Sequence, residues 1–394
     1  MCRMTLKSIV LVSLGCGFSL MVAAAEPTIT AARLTGSVLV VNGANFGAKV
    51  SAAPFFYQDY TTHNGEADGD LLLGYANQRQ YSSNSFGSST TVDSSMGRMA
   101  GRGALKLDLT AGAADYFPHI AVNTSNTGRG TLTSQSTDEL YISYWIKFEL
   151  VSGTPAQSLV QIKSARSGTG APTTNYYSNY PLYVSSLYPR GDVTAYAATY
   201  QEARDSSNVV SEGEHFDASD TAMWVSGGWN FVEIWQKYNT PGVADGFFKY
   251  KINGVSINKE IAASGYNAIK VRQSGEGDKH FDYTMLVPGV DVSGHSATSK
   301  YRLLFSEHYI DTTPQRVMLG NASTLAANTA GLLCPPSSWN NGALTVTASN
   351  IPAGYQWVYI TNSAGETNAT GFPIASTGAN PPVAPVLNPV LVIP

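Results

Sequence analysis

Seven tyrosines, Tyr176, Tyr177, Tyr180, Tyr183, Tyr188, Tyr196 and Tyr200, crowd one stretch of the chain interrupted by Pro181 and Pro189. A tyrosine ring offers a flat apolar face to sugar C–H groups, while its hydroxyl hydrogen-bonds to water or to the sugar. Tyr177, Tyr180, Tyr183 and Tyr188 are therefore candidates for a glycan-binding ledge, with core packing as the competing use. Trp145 and Lys147 join them from a second stretch, Asp138 to Glu149. There Leu140, Ile142, Tyr144, Ile146 and Phe148 alternate with Tyr141, Ser143, Trp145 and Lys147, the period of two of a half-buried strand. One face is core. The chemistry depends on what the other face looks at.

Other chemistries lack their residues. No Glu-x-Asp-x-x-Glu run supplies the paired carboxylates of a glycosidase, and no Gly-x-Ser-x-Gly elbow presents a serine nucleophile. His63, His119, His215, His280, His295 and His308 show no zinc spacing. A net charge of −4 with no basic stripe argues against a nucleic-acid partner.

The elements that must position the candidates are strands. Charged residues make up only 13% of the chain, while Tyr reaches 22 and Gly 37, a composition suited to an extracellular all-β protein. Short alternating runs at 103–109, 140–148, 158–164, 229–238, 246–254, 300–311 and 316–320 have no helical periodicity between them. They predict an antiparallel β-sandwich. Arg3 and Lys7, the apolar run Ile9 to Val22 and Ala23-Ala24-Ala25 read as a signal peptide over 1–25. Its apolar part is short for a membrane span, and Ser13-Leu14-Gly15 before Cys16 is a poor lipobox. The mature chain is expected to start near Glu26 and to be secreted or extracytoplasmic, in the periplasm or at the cell surface. Cys334 is then the one remaining cysteine, so an intramolecular disulfide is ruled out. A monomer is expected, and 377–394 form a proline-rich tail.

The strand that ends in Asn42-Gly-Ala-Asn-Phe-Gly47 resembles the opening of an IPT/TIG domain, a small immunoglobulin-like sandwich. Tyr355 to Gly365 followed by Gly371-Phe-Pro-Ile374 resembles the closing strands of that family. Residues 26–53 and 338–376 are thus expected to form one small sandwich, with 54–337 inserted in it. The alternative is two unrelated terminal extensions of one large sandwich. Within 54–337, four features resemble the concanavalin A-like jelly roll: Leu140-Tyr-Ile-Ser-Tyr-Trp-Ile-Lys147, the strand led by Trp229, the strand ending in Asn253-Gly254, and Tyr309-Ile-Asp-Thr-Thr-Pro-Gln-Arg-Val317. A laminin-G-type sandwich and a viral jelly roll are the other candidates.

The jelly-roll resemblance implies a polysaccharide groove, with a glycan as partner. Lyases of this fold break acidic polymers by elimination, which needs a neutraliser for the uronate carboxylate and a base. Gln161-Ile-Lys163 falls where such lyases carry Gln-Ile-His, with Lys in place of His. Arg102 to Lys106 matches their arginine strand only loosely, and 301–309 lacks their Lys-Ala-Gly. If the chain is a lyase, Gln161 and Lys163 are the neutralisers and Tyr301, His308 or Tyr309 the base. The fold also implies a structural calcium, for which Asp59, Glu307 and Asp311 are the candidate oxygen ligands. No other cofactor is required. Glycan recognition ranks first, lyase activity second, and a structural or adhesive surface role third.

Overall fold

The computed structural model describes residues 25–60, 79–81, 91–110, 117–123, 137–154, 160–169, 182–189, 196–205, 209–216, 224–256, 269–287, 289–291, 299–348 and 351–376. Among these the protein is all-β, with no α-helix and one 3-10 turn at Leu325–Ala327. Residues 1–24 of the expected signal peptide, Tyr177, Tyr180 and the proline-rich tail lie outside the described residues.

Two large sheets make an antiparallel jelly-roll sandwich. The seam sheet runs Val255–Ser256, Phe247–Ile252, Trp229–Lys237, Glu139–Ser152, Lys300–Asp311, Ala104–Thr110 and Thr91–Asp93, with Phe56–Gln58 also against Lys300–Asp311. The far sheet runs Val209–Phe216, Tyr196–Arg204, Leu182–Pro189, Gln161–Gly168, Tyr283–Val287, Phe117–Asn123 and Arg79–Tyr81, with Gly289–Asp291 against Gln161–Gly168. Alternation decides the faces. Leu140, Ile142, Tyr144, Ile146 and Phe148 bury against Ile162, Ala165, Tyr183 and Leu187 of the far sheet in one continuous core.

A small sandwich is assembled from both ends of the chain. Thr28–Thr35 pairs with Val38–Ala44, which pairs with Ala343–Thr347, and Ala375–Ser376 adds to Thr28–Thr35 in parallel. Its second sheet is Leu332–Cys334, Arg316–Gly320, Trp357–Thr361 and Phe372–Pro373. Leu39, Val41, Phe46, Val317, Leu319, Leu344, Val358 and Ile360 form its core. The expected boundary at 338 is therefore too late. Arg316–Gly320 alternates like any strand, and only its pairing with Trp357–Thr361 shows which sheet owns it.

The small sandwich covers the outer face of the seam sheet. Tyr141, Trp145, Phe231 and Tyr309 from that face pack with Leu333 and Met318 of the small sandwich. Buried charges fasten the seam. The Arg98 guanidinium lies 4.1 Å from the Trp145 ring, pairs with Glu307 at 2.7 Å, and donates to the Gly331 carbonyl at 2.9 Å. Arg316 and the Tyr141 hydroxyl both donate to Glu233, at 2.6 and 2.7 Å. Lys49 pairs with Asp311 at 2.6 Å. Gly365, at φ +80°, lies against Trp235, where a Cβ would come within 2.6 Å of the ring.

A bulge in Lys300–Asp311 sets what this strand presents. Phe305 and Ser306 pair with Ile146 and Trp145, then the register jumps so that Tyr309 pairs with Ser143, and Glu307 takes φ +54°. The parity inverts there. Tyr301, Leu303 and Phe305 face the main core before the bulge, and Ile310 faces it afterwards, while Tyr309 faces the seam.

Removing Arg98 should leave Glu307 buried without its cation, so Arg98→Ala is expected to cost about 3–5 kcal/mol in urea unfolding. A loss below about 1 kcal/mol would mean that the pair is no stronger than a surface one. His308 gives a pH signature. It is fully buried, accepts or shares a proton with the Tyr60 hydroxyl at 2.6 Å, and burial lowers its pKa from 6.5 to about 3. Between those values the unfolded chain binds the extra proton, so stability is complete above pH 6.5 and falls as pH drops below it. From pH 7 to 5 this residue should cost about 2 kcal/mol. In His308→Gln the unfolding free energy should fall by that much less over the same interval.

Candidate functional site

The outer face of the far sheet carries the candidate site. Gln161–Gly168 supplies Gln161, Lys163 and Arg166, and Leu182–Pro189 supplies Tyr188. Ile162 and Leu187 pair with each other and face the core, so Gln161, Lys163 and Tyr188 point the other way. The Gln161 amide donates to the Tyr188 hydroxyl at 2.6 Å. All three side chains are half-buried rather than core.

Arg166 reaches this face only because of a second bulge. Ser185 pairs with Ala165, but the next residue, Ser186, pairs with Lys163, leaving Ser164 as an extra residue. Ala165 packs in the core and the Ser164 hydroxyl meets the core-facing Ser185 hydroxyl at 2.8 Å, so two consecutive residues point inward. Ser167 is inward as well, bonded to Thr284 at 2.9 Å. Lys163 and Arg166, three apart, thereby share the outer face. Arg166 is only 1% exposed, a guanidinium at the base of the face rather than on its surface.

Arg166 was not among the candidates because the strand expected from the sequence ended at residue 164, whereas it runs on to Gly168. The available signal was the charge itself: continued past Ser164, strict alternation from Lys163 would turn a guanidinium toward apolar side chains, a cost that a change of register avoids.

Most other expected site residues are elsewhere. Tyr183 is core, stacked with Tyr238 and donating to the Lys237 carbonyl at 3.0 Å. Tyr301 is core, stacked on Phe148. His308 is enclosed by Tyr60, Tyr144 and Phe305. Tyr309 lies in the seam, donating to Asp311 at 3.0 Å, and burial followed by the Asp311 charge pushes its phenol well up. None of these three can meet a polymer as a base, because each is enclosed by protein. Trp145 is 4% exposed beneath Arg98, and Lys147 pairs with Glu149 on the seam sheet, so neither shares a face with Gln161. Of the sequence candidates, Gln161, Lys163 and Tyr188 come together.

The three acids expected to hold calcium do not form a donor set. Asp59 is engaged by Arg102 at 2.5 Å, Glu307 by Arg98 at 2.7 Å, and Asp311 by Lys49 at 2.6 Å. Each carboxylate thus has a cation of its own. Burial raises the Glu307 pKa against the pull of Arg98, and raises that of Asp311 to about 6 against the pull of Lys49. Among the described residues no three His, Cys, Asp or Glu side chains converge on a metal position.

No protein-family model matches the chain, and no curated protein matches it. Solved structures are similar in part. An endo-β-1,4-glucuronan lyase from the fungus Trichoderma reesei aligns at a TM-score of 0.41 and 14% identity, covering 66% of this chain and 96% of that one. A marine alginate lyase from Aplysia kurodai aligns at 0.36 and 12%, covering 56% and 85%. A β-glucanase from Bacillus licheniformis aligns at 0.33 and 12%, covering 67% and 99%.

Proposed function

We propose that this protein binds an acidic polysaccharide on the outer face of the far sheet, acting as a monomer outside the cytoplasm. The observation that carries the reading is the convergence of Gln161, Lys163 and Tyr188 on one half-buried face, with Arg166 beneath it. An ammonium and a guanidinium favour a carboxylate-bearing polymer over a neutral one. The Gln161 amide and the Tyr188 hydroxyl suit sugar hydroxyls, and the phenol ring suits a sugar face. The rival surface, the outer face of the seam sheet, is filled by the small sandwich.

A second reading, elimination, is favoured by the place of Tyr188. Its neighbour but one, Ser186, is the register partner of Lys163, so phenol and ammonium belong to adjacent strands of one face. In that step Lys163 would neutralise the uronate carboxylate while Tyr188, as the phenolate, takes the proton α to it and passes it on to the departing oxygen. The C–H electron pair forms the double bond, the β C–O bond breaks, and the glycosidic oxygen leaves as a hydroxyl carrying the proton from Tyr188, which returns to the phenolate.

The test is titration of the mature protein with alginate, pectate, glucuronan and glycosaminoglycans, and with neutral dextran as control. The ultraviolet absorbance of the conjugated unsaturated uronate is followed in the same samples. Binding confined to acidic polymers is expected, weakened about tenfold by Lys163→Ala, as for loss of one charge-assisted hydrogen bond. A rise in absorbance abolished by Tyr188→Phe would assign elimination. Equal binding by wild type and Lys163→Ala, or none to any acidic polymer, would overturn the reading and leave a structural or adhesive surface role.

A further inference from the structure

The bulge that puts Lys163 and Arg166 on one face is met by hydroxyls that reach it through the core. Ser164 has no register partner on Leu182–Pro189, on Tyr283–Val287 or on Gly289–Asp291. A buried carbonyl at such an irregularity is costly to leave without a donor. The Tyr144 hydroxyl, from the seam sheet, donates to the Ser164 carbonyl at 2.9 Å. The Ser164 hydroxyl meets that of Ser185 at 2.8 Å, and the Tyr250 hydroxyl donates to Ser164 Oγ at 3.4 Å. All four residues are fully buried. Burial pushes the Tyr144 and Tyr250 phenols up, so both remain neutral donors.

These donors meet at the one residue whose insertion decides the facing of Arg166. In a regular strand, residues 163 and 166 would lie on opposite faces. We infer that Tyr144, Ser185 and Tyr250 are positioning residues of the polysaccharide face: by fixing the Ser164 bulge they fix the placement of Lys163 relative to Arg166. None of them touches the ligand. The inference rests on the acidic-polysaccharide reading, and it adds that the face is tuned from the seam sheet, through the core.

The experiment is a double-mutant cycle on the mature protein, with affinity for immobilised alginate and glucuronan as readout. Ser185→Ala and Tyr144→Phe, the latter keeping the ring that fills the core, are each combined with Lys163→Ala. Each single variant should weaken binding about fivefold or more, the effect of losing one buried hydrogen bond. In the Lys163→Ala background the same changes should cost less than about twofold, because a residue that acts through Lys163 has nothing left to position. A merely structural role gives additive losses, and additivity overturns the inference. So does wild-type affinity in both Ser185→Ala and Tyr144→Phe when Lys163→Ala is impaired. If wild type binds neither polymer, it is the acidic-polysaccharide reading that fails, and this inference with it.

Discussion

The burial of one sheet face under the small sandwich is the constraint on which the rest of the molecule depends. Glu139–Ser152 has an apolar side that makes the main core and an aromatic side bearing Tyr141 and Trp145. That second side is covered by Leu333 and Met318 and fastened by Arg98, Arg316 and Lys49 to buried carboxylates. Buried ion pairs contribute little net stability over apolar packing, yet breaking one leaves an uncompensated charge. Three of them at one seam fix where the small sandwich sits and leave little freedom for it to slide. A face filled by protein is closed to a polymer, so the seam leaves the far sheet as the face proposed to bind one.

Two bulges do the detailed placing. At Glu307 the parity of Lys300–Asp311 inverts, so one strand sends Tyr301 and Phe305 to the core and Tyr309 to the seam. At Ser164 an extra residue brings Arg166 to the side of Lys163. A positive φ at Glu307 carries a backbone cost, as expected where the surrounding structure over-determines the conformation. In both places buried polar groups meet the bulge: Arg98 on Glu307, and three hydroxyls on Ser164.

Much of the architecture was legible. Strict alternation from Leu140 to Phe148 identified the core face, and the absence of helical periodicity identified the class. Gln161 and Lys163 were readable as an outward pair because Val160 and Ile162 alternate with them. What the sequence could not convey was the partner of each second face. Trp145 looks the same in sequence whether it meets a sugar or another domain, and here Arg98 and the small sandwich take that place, while Lys147 pairs with Glu149. Register shifts were equally hidden. Tyr301 and Tyr309, both odd-numbered, read as residues of one face until the Glu307 bulge separates them, and Arg166, past the expected strand end at 164, joins the face of Lys163 only once Ser164 is counted as an insertion. The acids at 59, 307 and 311 resembled cation ligands because their arginine and lysine partners come from distant parts of the chain.

The far sheet, and not the seam, is the surface proposed to meet the polymer. Amide hydrogen exchange of the mature protein with and without glucuronan and alginate tests this most directly, since bound polymer slows exchange where it lies. Added protection is expected in 161–168 and 182–189, with exchange in 139–152, 300–311 and 316–320 unchanged. Protection centred on the small sandwich or the seam strands, with 161–168 unaffected, would contradict it.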